Sequence, residues 1–137
     1  MPTFDAIERA YLRIIEPWGL DLKAMPYGTT PTDDGGSHIE ILPEGGMALV
    51  ATERGKEIKR RETRDIDELL YWILEAHAHA RAWKYEMAHR HPTQDSRRIV
   101  FPKAMEEVGK LSPAWRDRME SELNRILRTH PHNDRTA

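Results

Sequence analysis

Histidine is the residue type in this sequence that could most readily bind a metal ion or move a proton, and the chain has seven. Six of them are spaced two apart, as His77 and His79, His89 and His91, and His130 and His132. Two positions on a helix correspond to a rotation of about 200°, so His77 and His79 cannot share an ion on one helical face. The same holds for His89 and His91 unless the helix has already unwound there. The third pair lies in a polar tail, where only a loose, unspecific contact is expected. Since cysteine and an HExxH pattern are also absent, the sequence predicts no metal site.

Serine, glycine and carboxylate positions also argue against catalysis. None of the four serines stands in a G-x-S-x-G turn. The glycine pairs at 35–36 and 45–46 lack the lysine and hydroxyl of a phosphate-binding loop. Asp33 and Asp34 are adjacent, but a polar loop is the wrong setting for the raised pKa of a catalytic acid. We therefore expect a binding protein without a cofactor, and not an enzyme.

Charge is unevenly distributed along the chain. Residues 1–50 carry eight acids and three bases, a net charge of −5, and residues 51–137 carry a net charge of +3. The basic stretch at residues 56–64 could follow a phosphate backbone. Glu57 and Glu62 interrupt it, and it has no aromatic residue for base stacking. A nucleic-acid-binding or regulatory adaptor protein using residues 56–64 is the alternative function, and a solvated edge strand explains the same residues.

Hydrophobic periodicity predicts one α+β domain over residues 1–130. The predicted elements are a helix at 4–16, a loop at 21–36, a three-stranded antiparallel meander at 38–42, 47–52 and 56–63, a long helix from 65 to about 90, and two further helices at 97–110 and 113–129. The helices are expected to pack on the sheet. Residues 131–137 are polar and are predicted to fray. No stretch is typical of a signal peptide or a membrane span, and the lack of cysteine suits a reducing cytoplasm.

The long helix has two distinguishable faces. Its predicted inward stripe is Ile66, Leu69, Leu70, Ile73, Leu74, His77, Ala80, Trp83 and Met87, and the opposite side is Tyr71, Glu75, Ala78, Ala82, Glu86 and His89. Glu86 and Arg90 are four residues apart in the order that favours an ion pair. With Asp95 and Arg98 they are predicted to form a structural charge network at the corner between this helix and the next.

Aromatic and charged residues of the long helix and of the segment after it form a recognisable pattern. It consists of Asp67-Glu68-Leu69-Leu70-Tyr71-Trp72-Ile73, Tyr85-Glu86, Arg90, Asp95, Arg97-Arg98, Phe101, Trp115, Glu122 and Ile126-Leu127. This pattern resembles the immunity protein 63 family, small bacterial proteins associated with polymorphic and contact-dependent toxin systems. The resemblance covers roughly residues 60 to 130, and the matched positions are of the kind that form a framework.

The resemblance implies a cytoplasmic protein that binds a cognate toxin domain and blocks it by occluding or distorting its active site. Many intracellular toxins present basic clefts, which an acidic surface can find quickly. We therefore expect the contact surface in the acidic half, at Asp33, Asp34, Glu40 and Glu44, with Trp18 and Tyr27 as exposed aromatic anchors. The alternative for the two rings is packing beneath the loop.

Overall fold

The computed structural model describes residues 3–135. Its elements are α1 (Phe4–Ile14), a 3₁₀ turn (Glu16–Trp18), β1 (Asp34–Ile41), β2 (Met47–Glu53), β3 (Lys56–Thr63), α2 (Ile66–Ala88), α3 (Arg97–Gly109) and α4 (Pro113–Thr129). The predicted α+β class and element order are confirmed. The chain divides into two compact units, Met1–Trp72 and Ile73–Ala137, whose boundary falls inside α2.

Helix α1 begins as its sequence predicts. The Thr3 hydroxyl accepts a hydrogen bond from the Ala6 backbone N–H, which satisfies one of the free donors of the first turn. Ile7, Tyr11 and Ile15 recur every four residues and are at most 2% exposed, so one face of the helix supplies the core of this unit. The left-handed Gly19, with φ of +70°, ends the following 3₁₀ turn.

Burial of Tyr11 predicts a loss of stability in alkali. Burial, with a smaller contribution from Tyr27, raises the pKa of the Tyr11 phenol to about 12. A raised pKa stabilises the folded protein fully below the unfolded value of about 10, and this stability is lost as pH rises from there towards 12. We expect the free energy of unfolding to fall by about 2 kcal/mol across that window. Urea unfolding from pH 8 to 11.5 should show this fall weakened in the Tyr11→Phe variant, whereas identical pH curves for the two proteins would contradict the assignment.

The three strands form an antiparallel sheet in the order β1-β2-β3. Successive residues of a strand point to opposite faces, and Met47 and Ala48 of the central strand are both fully buried. Both faces of β2 are therefore covered at this end. Strand β3 is exposed over most of its length and lies at an edge of the sheet, as the sequence predicts.

Two turns set the register of the meander. Arg54 and Gly55 connect β2 to β3 with φ values of +53° and +78°, the left-handed pair of a tight hairpin turn. Between β1 and β2, the Gly45 N–H donates to the Leu42 carbonyl. Strand β1 begins at Asp34, so the preceding loop is shorter than the predicted range of 21–36. The glycines at 35 and 36 obscured this strand in the sequence, and a register shift between Asp34 and Ser37 accommodates them.

Side-chain caps define the starts of the later helices. Asp65 accepts a hydrogen bond from the Asp67 N–H at the beginning of α2, and Ser112 accepts one from the Trp115 N–H at the beginning of α4. Pro113 occupies the first turn of α4, where its missing N–H costs nothing. Within residues 3–135, no helix is long and apolar enough to span a bilayer.

The second half of α2 differs from its predicted orientation. Leu69, Leu70, Ile73 and Leu74 are fully buried, which confirms the first half of the inward stripe. Beyond them the stripe is wrong, because Ala80, Trp83 and Met87 are exposed. The buried positions are instead Tyr71, Ala78, Ala82 and Glu86, all predicted to lie on the opposite side. The physical reason is the row Leu74, Ala78, Ala82 and Glu86, spaced by four residues, whose small and charged members give little hydrophobic signal.

Candidate functional site

The histidines occupy separate environments. His38 is buried, with its Nε2 3.0 Å from Glu40 Oε2. His79 lies 3.8 Å from Glu75, and burial lowers the pKa of both His77 and His79. Among the described residues, no three His, Cys, Asp or Glu side chains are grouped so that they could hold a metal ion.

The two aromatic candidates of the first unit differ in exposure. Trp18 is 8% exposed, so the expectation of an exposed anchor is wrong for this ring and the alternative of packing describes it. Tyr27 is half-buried, and this burial raises the pKa of its phenol. The carbonyl of the neighbouring Gly28 accepts a hydrogen bond from the Ile39 N–H at 3.0 Å. This bond fixes the loop beside Tyr27 to β1, and part of the Tyr27 side chain remains exposed there.

Asp33 is tied into the hairpin between β2 and β3. Its N–H donates to Thr52 Oγ1, and its carboxylate accepts from the Gly55 N–H at 3.1 Å. Its carbonyl also accepts from the Arg54 N–H at 3.2 Å. These bonds hold Asp33 at a φ of +56°, a conformation that aspartate tolerates better than most residues. A large part of the hydrogen-bonding capacity of Asp33 therefore stabilises the fold.

Asp34 is exposed and lies directly opposite Glu53 of β2. Hydrogen bonds from the Thr32 side chain and from the Gly36 N–H lower the pKa of the Asp34 carboxyl, which keeps it ionised. Glu53 is also exposed. It was not among the predicted contact residues, because β1 begins at Asp34 and not at the predicted residue 38. Asp34 and Glu53 are named here the acidic end of the sheet.

Glu40 belongs to an ion cluster on the sheet surface. Arg60 of β3 donates to Glu40 at 3.0 Å, to Glu57 at 2.9 Å and to Glu62 at 2.7 Å. Hydrogen bonds from His38 and Arg60 lower the pKa of the Glu40 carboxyl. The charge of Glu40 is therefore largely neutralised by its own neighbours, and so is the central arginine of the basic stretch.

Glu44 lies far from the acidic end of the sheet. It is exposed in the turn after β1, whereas Asp34 is the first residue of that strand. Eight residues of extended chain separate the two ends of β1 by about 23 Å. The structure thus brings Asp33 and Asp34 together, places Glu40 in a neutralised cluster, and separates Glu44 from them.

In the predicted charge network at the corner between α2 and α3, Glu86 pairs with Arg90, and Asp95 and Arg98 are connected through Asp134. Arg90 Nη2 donates to Glu86 at 2.9 Å, and the Glu86 side chain is 1% exposed. Asp95 pairs with Arg97 at 2.8 Å, and this arginine holds the pKa of the Asp95 carboxyl far below its usual range. Arg98 pairs with Asp134 at 2.9 Å.

The segment at residues 130–135 is held against the start of α3, whereas the sequence predicted fraying from residue 131. Arg97 donates to the carbonyls of His130 and Pro131, each at 2.7 Å. The Asn133 N–H donates to Asp95, and the Asp95 N–H donates to Asp134. The predicted tail at 136–137 lies outside the described residues. This segment forms one wall of a polar cavity of about 460 Å³, which Glu86, Arg90 and Gln94 also line.

A family comparison identifies the chain. The sequence model described as immunity protein 63 matches residues 44–125, more than half of the protein. The chain belongs to the immunity protein 63 family. The comparisons with curated proteins and with solved structures gave no significant match.

The immunity protein 63 match divides the candidate residues unevenly. Trp18, Tyr27, Asp33, Asp34 and Glu40 precede the matched segment, and Glu44 is its first residue. The segment itself contains β2, β3, α2, α3 and most of α4, including the ion pair of Glu86 with Arg90. The acidic end of the sheet combines a residue outside the immunity protein 63 match, Asp34, with one inside it, Glu53.

Proposed function

We propose that this member of the immunity protein 63 family binds a cognate bacterial toxin domain in the cytoplasm and neutralises it by occluding its active site. The observation that carries the proposal is the family match over residues 44–125. A tight complex with a protein needs an accessible surface and no catalytic group. On this proposal the chain acts by binding alone.

The acidic end of the sheet supports a contact surface there. Like charges directly opposite one another on neighbouring strands destabilise a sheet, as with Asp34 and Glu53. Glu53 also lies opposite Lys56 of β3, but within residues 3–135 no ion pair joins Asp34 or Glu53 to another group. Such locally unfavourable arrangements concentrate where a protein binds something else. A basic cleft on the toxin would relieve the repulsion, and the field of the two carboxylates would speed the encounter.

The basic stretch supports the nucleic-acid alternative less well. Its central residue, Arg60, is already bound by Glu40, Glu57 and Glu62. An arginine with three carboxylate partners has little remaining capacity for phosphate. The same contacts explain the stretch as part of the sheet surface.

Co-expression tests the proposed function directly. On this proposal the neighbouring upstream gene encodes a large protein whose C-terminal domain is the toxin. That domain should be lethal when expressed alone and harmless when this protein is present, and the two should purify together. A domain that kills equally well with and without this protein would contradict the proposal.

Charge removal at the two ends of β1 should locate the acidic contact. Asp34→Asn removes the charge but keeps the oxygen that accepts a hydrogen bond from the Gly36 N–H. Glu44→Gln removes one negative charge near the opposite end of β1. If the toxin approaches the acidic end, Asp34→Asn should slow association at low salt by roughly fivefold, and the difference should disappear at high salt. Association kinetics by surface plasmon resonance measure this effect.

The control for this experiment is Asp117→Asn, which removes an exposed charge from α4 and gives the same net charge. Equal rates for Asp34→Asn and Asp117→Asn would place the contact away from the acidic end. A slower rate for Glu44→Gln alone would place it at the turn between β1 and β2.

A further inference from the structure

The outward face of α2 carries large apolar side chains. Trp83 is 43% exposed and Met87 is 70% exposed. Ala76, Ala80 and Lys84 are exposed as well. With spacings of three and four residues, these five side chains share one side of the helix. They are named here the α2 strip.

The α2 strip differs from the other exposed apolar residues of the chain. Tyr85 is also 40% exposed, but its ring stacks on His89 at 4.0 Å and lies 4.5 Å from the Lys103 ammonium. Leu20 and Leu22 are exposed in the loop after the 3₁₀ turn, and Ile41, Ile58 and Ile126 are each exposed on a different element. In the α2 strip, a tryptophan and a methionine one turn apart make a continuous apolar surface.

Leaving this surface in water is costly. Burial of a large apolar side chain stabilises a protein, and Trp83 and Met87 forgo much of that gain. The same helix buries Glu86, which is 1% exposed, immediately before the exposed Met87. A helix that buries its carboxylate and exposes its tryptophan and methionine departs from the ordinary pattern, and such departures concentrate at functional surfaces.

The charges around the α2 strip indicate the chemistry of its partner. Residues 76–91 are all described, and their only carboxylate is the buried Glu86. Lys84 lies within the strip. The Arg90 side chain, one turn beyond Met87, is 62% exposed but is already paired with Glu86 at 2.9 Å. The surface is therefore apolar at its centre, and Lys84 gives it a positive charge. It complements a protein surface with an apolar centre bordered by carboxylates.

We infer that the α2 strip is a contact surface for the toxin domain, on which Trp83 and Met87 are the anchoring residues; this inference rests on the proposed function. Tryptophan is among the residues that dominate binding energy, and methionine adapts to irregular surfaces. A carboxylate at the margin of the toxin surface would pair with Lys84. The strip thus differs in charge from the acidic end of the sheet, and each contact can be tested by itself.

A second copy of the chain fits the α2 strip less well. From residue 76 to residue 87 the helix is about 17 Å long, which with a width of one helix is far below the roughly 800 Å² that each partner contributes to a stable dimer. A two-fold arrangement centred on Trp83 would also bring Lys84 close to its own copy. Nucleic acid is disfavoured because a strip with two cations offers little to phosphates.

Affinity measurements on matched variants test the inference. The binding partner is the purified toxin domain encoded by the adjacent gene, carrying an inactivating substitution. Trp83→Ala and Met87→Ala should each weaken binding by at least 30-fold in calorimetry. Lys84→Glu should also weaken binding, and its effect should be larger at low salt than at high salt. The control is Ile126→Ala on α4, a residue with the same 43% exposure as Trp83, which should change the affinity by less than threefold.

The outcomes separate this inference from the proposed function. If the unaltered protein does not bind the toxin domain, the proposed function fails. If it binds and Trp83→Ala and Met87→Ala bind equally well, the function stands and the α2 strip is not the contact. Dimers in light scattering that Met87→Ala abolishes would assign the strip to a second copy. Binding of single-stranded RNA that Trp83→Ala abolishes would assign it to nucleic acid. Either result would overturn the inference.

Discussion

Replacing Glu107 with alanine is expected to lower the free energy of unfolding by about 3 kcal/mol. Glu107 of α3 is only 4% exposed, although it is a carboxylate. Arg81 Nε of α2 donates to it at 3.2 Å, and the ammonium groups of Lys110 and Lys103 lie at 3.4 Å and 3.6 Å. The Glu107→Ala variant leaves a void and removes a counter-charge from three neighbouring cations, of which Lys103 keeps its pair with Glu106.

The pH dependence of this effect has a definite sign. Burial alone would raise the pKa of the Glu107 carboxyl, but Arg81 and Lys110 outweigh it and the pKa is lowered. A lowered pKa contributes stability above the unfolded value of about 4.3, and this contribution is lost as pH falls through the folded value. The variant and the unaltered protein should therefore converge in stability below about pH 4.

A double-mutant cycle would separate the ion pair from packing. Urea unfolding of Arg81→Met, Glu107→Leu and the double variant at pH 7 should give a coupling energy of about 1.5 kcal/mol or more. The matched control is Glu120→Ala, an exposed carboxylate on α4, which should cost less than about 0.5 kcal/mol. Equal losses for Glu107→Ala and Glu120→Ala would mean that the buried carboxylate does not organise the helices.

The first unit was largely predictable from its sequence, because its signals are local. The Thr3 cap needs only a hydroxyl before the helix, and the Arg54-Gly55 turn needs only a residue that accepts a positive φ beside a glycine. The start of β1 was missed because it depends on contacts between residues that are distant in the sequence. Its first residues, Asp34 to Gly36, are poor strand formers, and Asp33 is held by bonds to Thr52 and Gly55 from distant parts of the chain.

The candidate surfaces were less predictable, because they depend on which side of an element is covered. Asp34, Glu40 and Glu44 are close in sequence, yet the strand separates them and Arg60 neutralises one of them. In α2, hydrophobicity placed Trp83 and Met87 inward, and no pattern in the sequence shows that Ala82 and Glu86 take the buried positions. Large apolar side chains such as Trp83 and Met87 can therefore be assigned to the buried face of a helix when the residues that are in fact buried are small and give little hydrophobic signal.

The second unit, residues 73–137, combines two buried glutamates with the exposed apolar α2 strip. Glu86 and Glu107 are both at most 4% exposed, and each is paired with an arginine of α2 or of the segment after it. In these pairs each buried carboxylate is neutralised by an arginine. The orientation of α2 that buries Glu86 also places Trp83, Met87 and Lys84 on the outward side. The buried ion pair and the proposed contact surface therefore depend on the same rotation of the helix.

Asp95 is expected to have the second large effect, with Asp95→Ala lowering the free energy of unfolding by about 3 kcal/mol. Its carboxylate accepts hydrogen bonds from the Arg97 guanidinium at 2.8 Å, from the Arg97 N–H at 3.0 Å and from the Asn133 N–H at 2.9 Å. The side chain is 10% exposed, so water cannot replace all of these bonds. Loss of the carboxylate should free both the start of α3 and the segment at 130–135.

Three measurements check the role of Asp95. Hydrogen exchange at the Asn133 amide should accelerate in Asp95→Ala, whereas Asp95→Asn, which keeps an acceptor oxygen, should lose only about half as much stability. Because Arg97 and the Asn133 N–H lower the pKa of Asp95, its contribution is present above about pH 4 and is lost as pH falls below it, so the variants should converge with the unaltered protein in acid. Asp117→Ala, at an exposed position of α4, is the control and should change neither stability nor exchange. If Asp95→Ala unfolds at the same urea concentration as Asp117→Ala, the carboxylate does not hold the C-terminal segment in place.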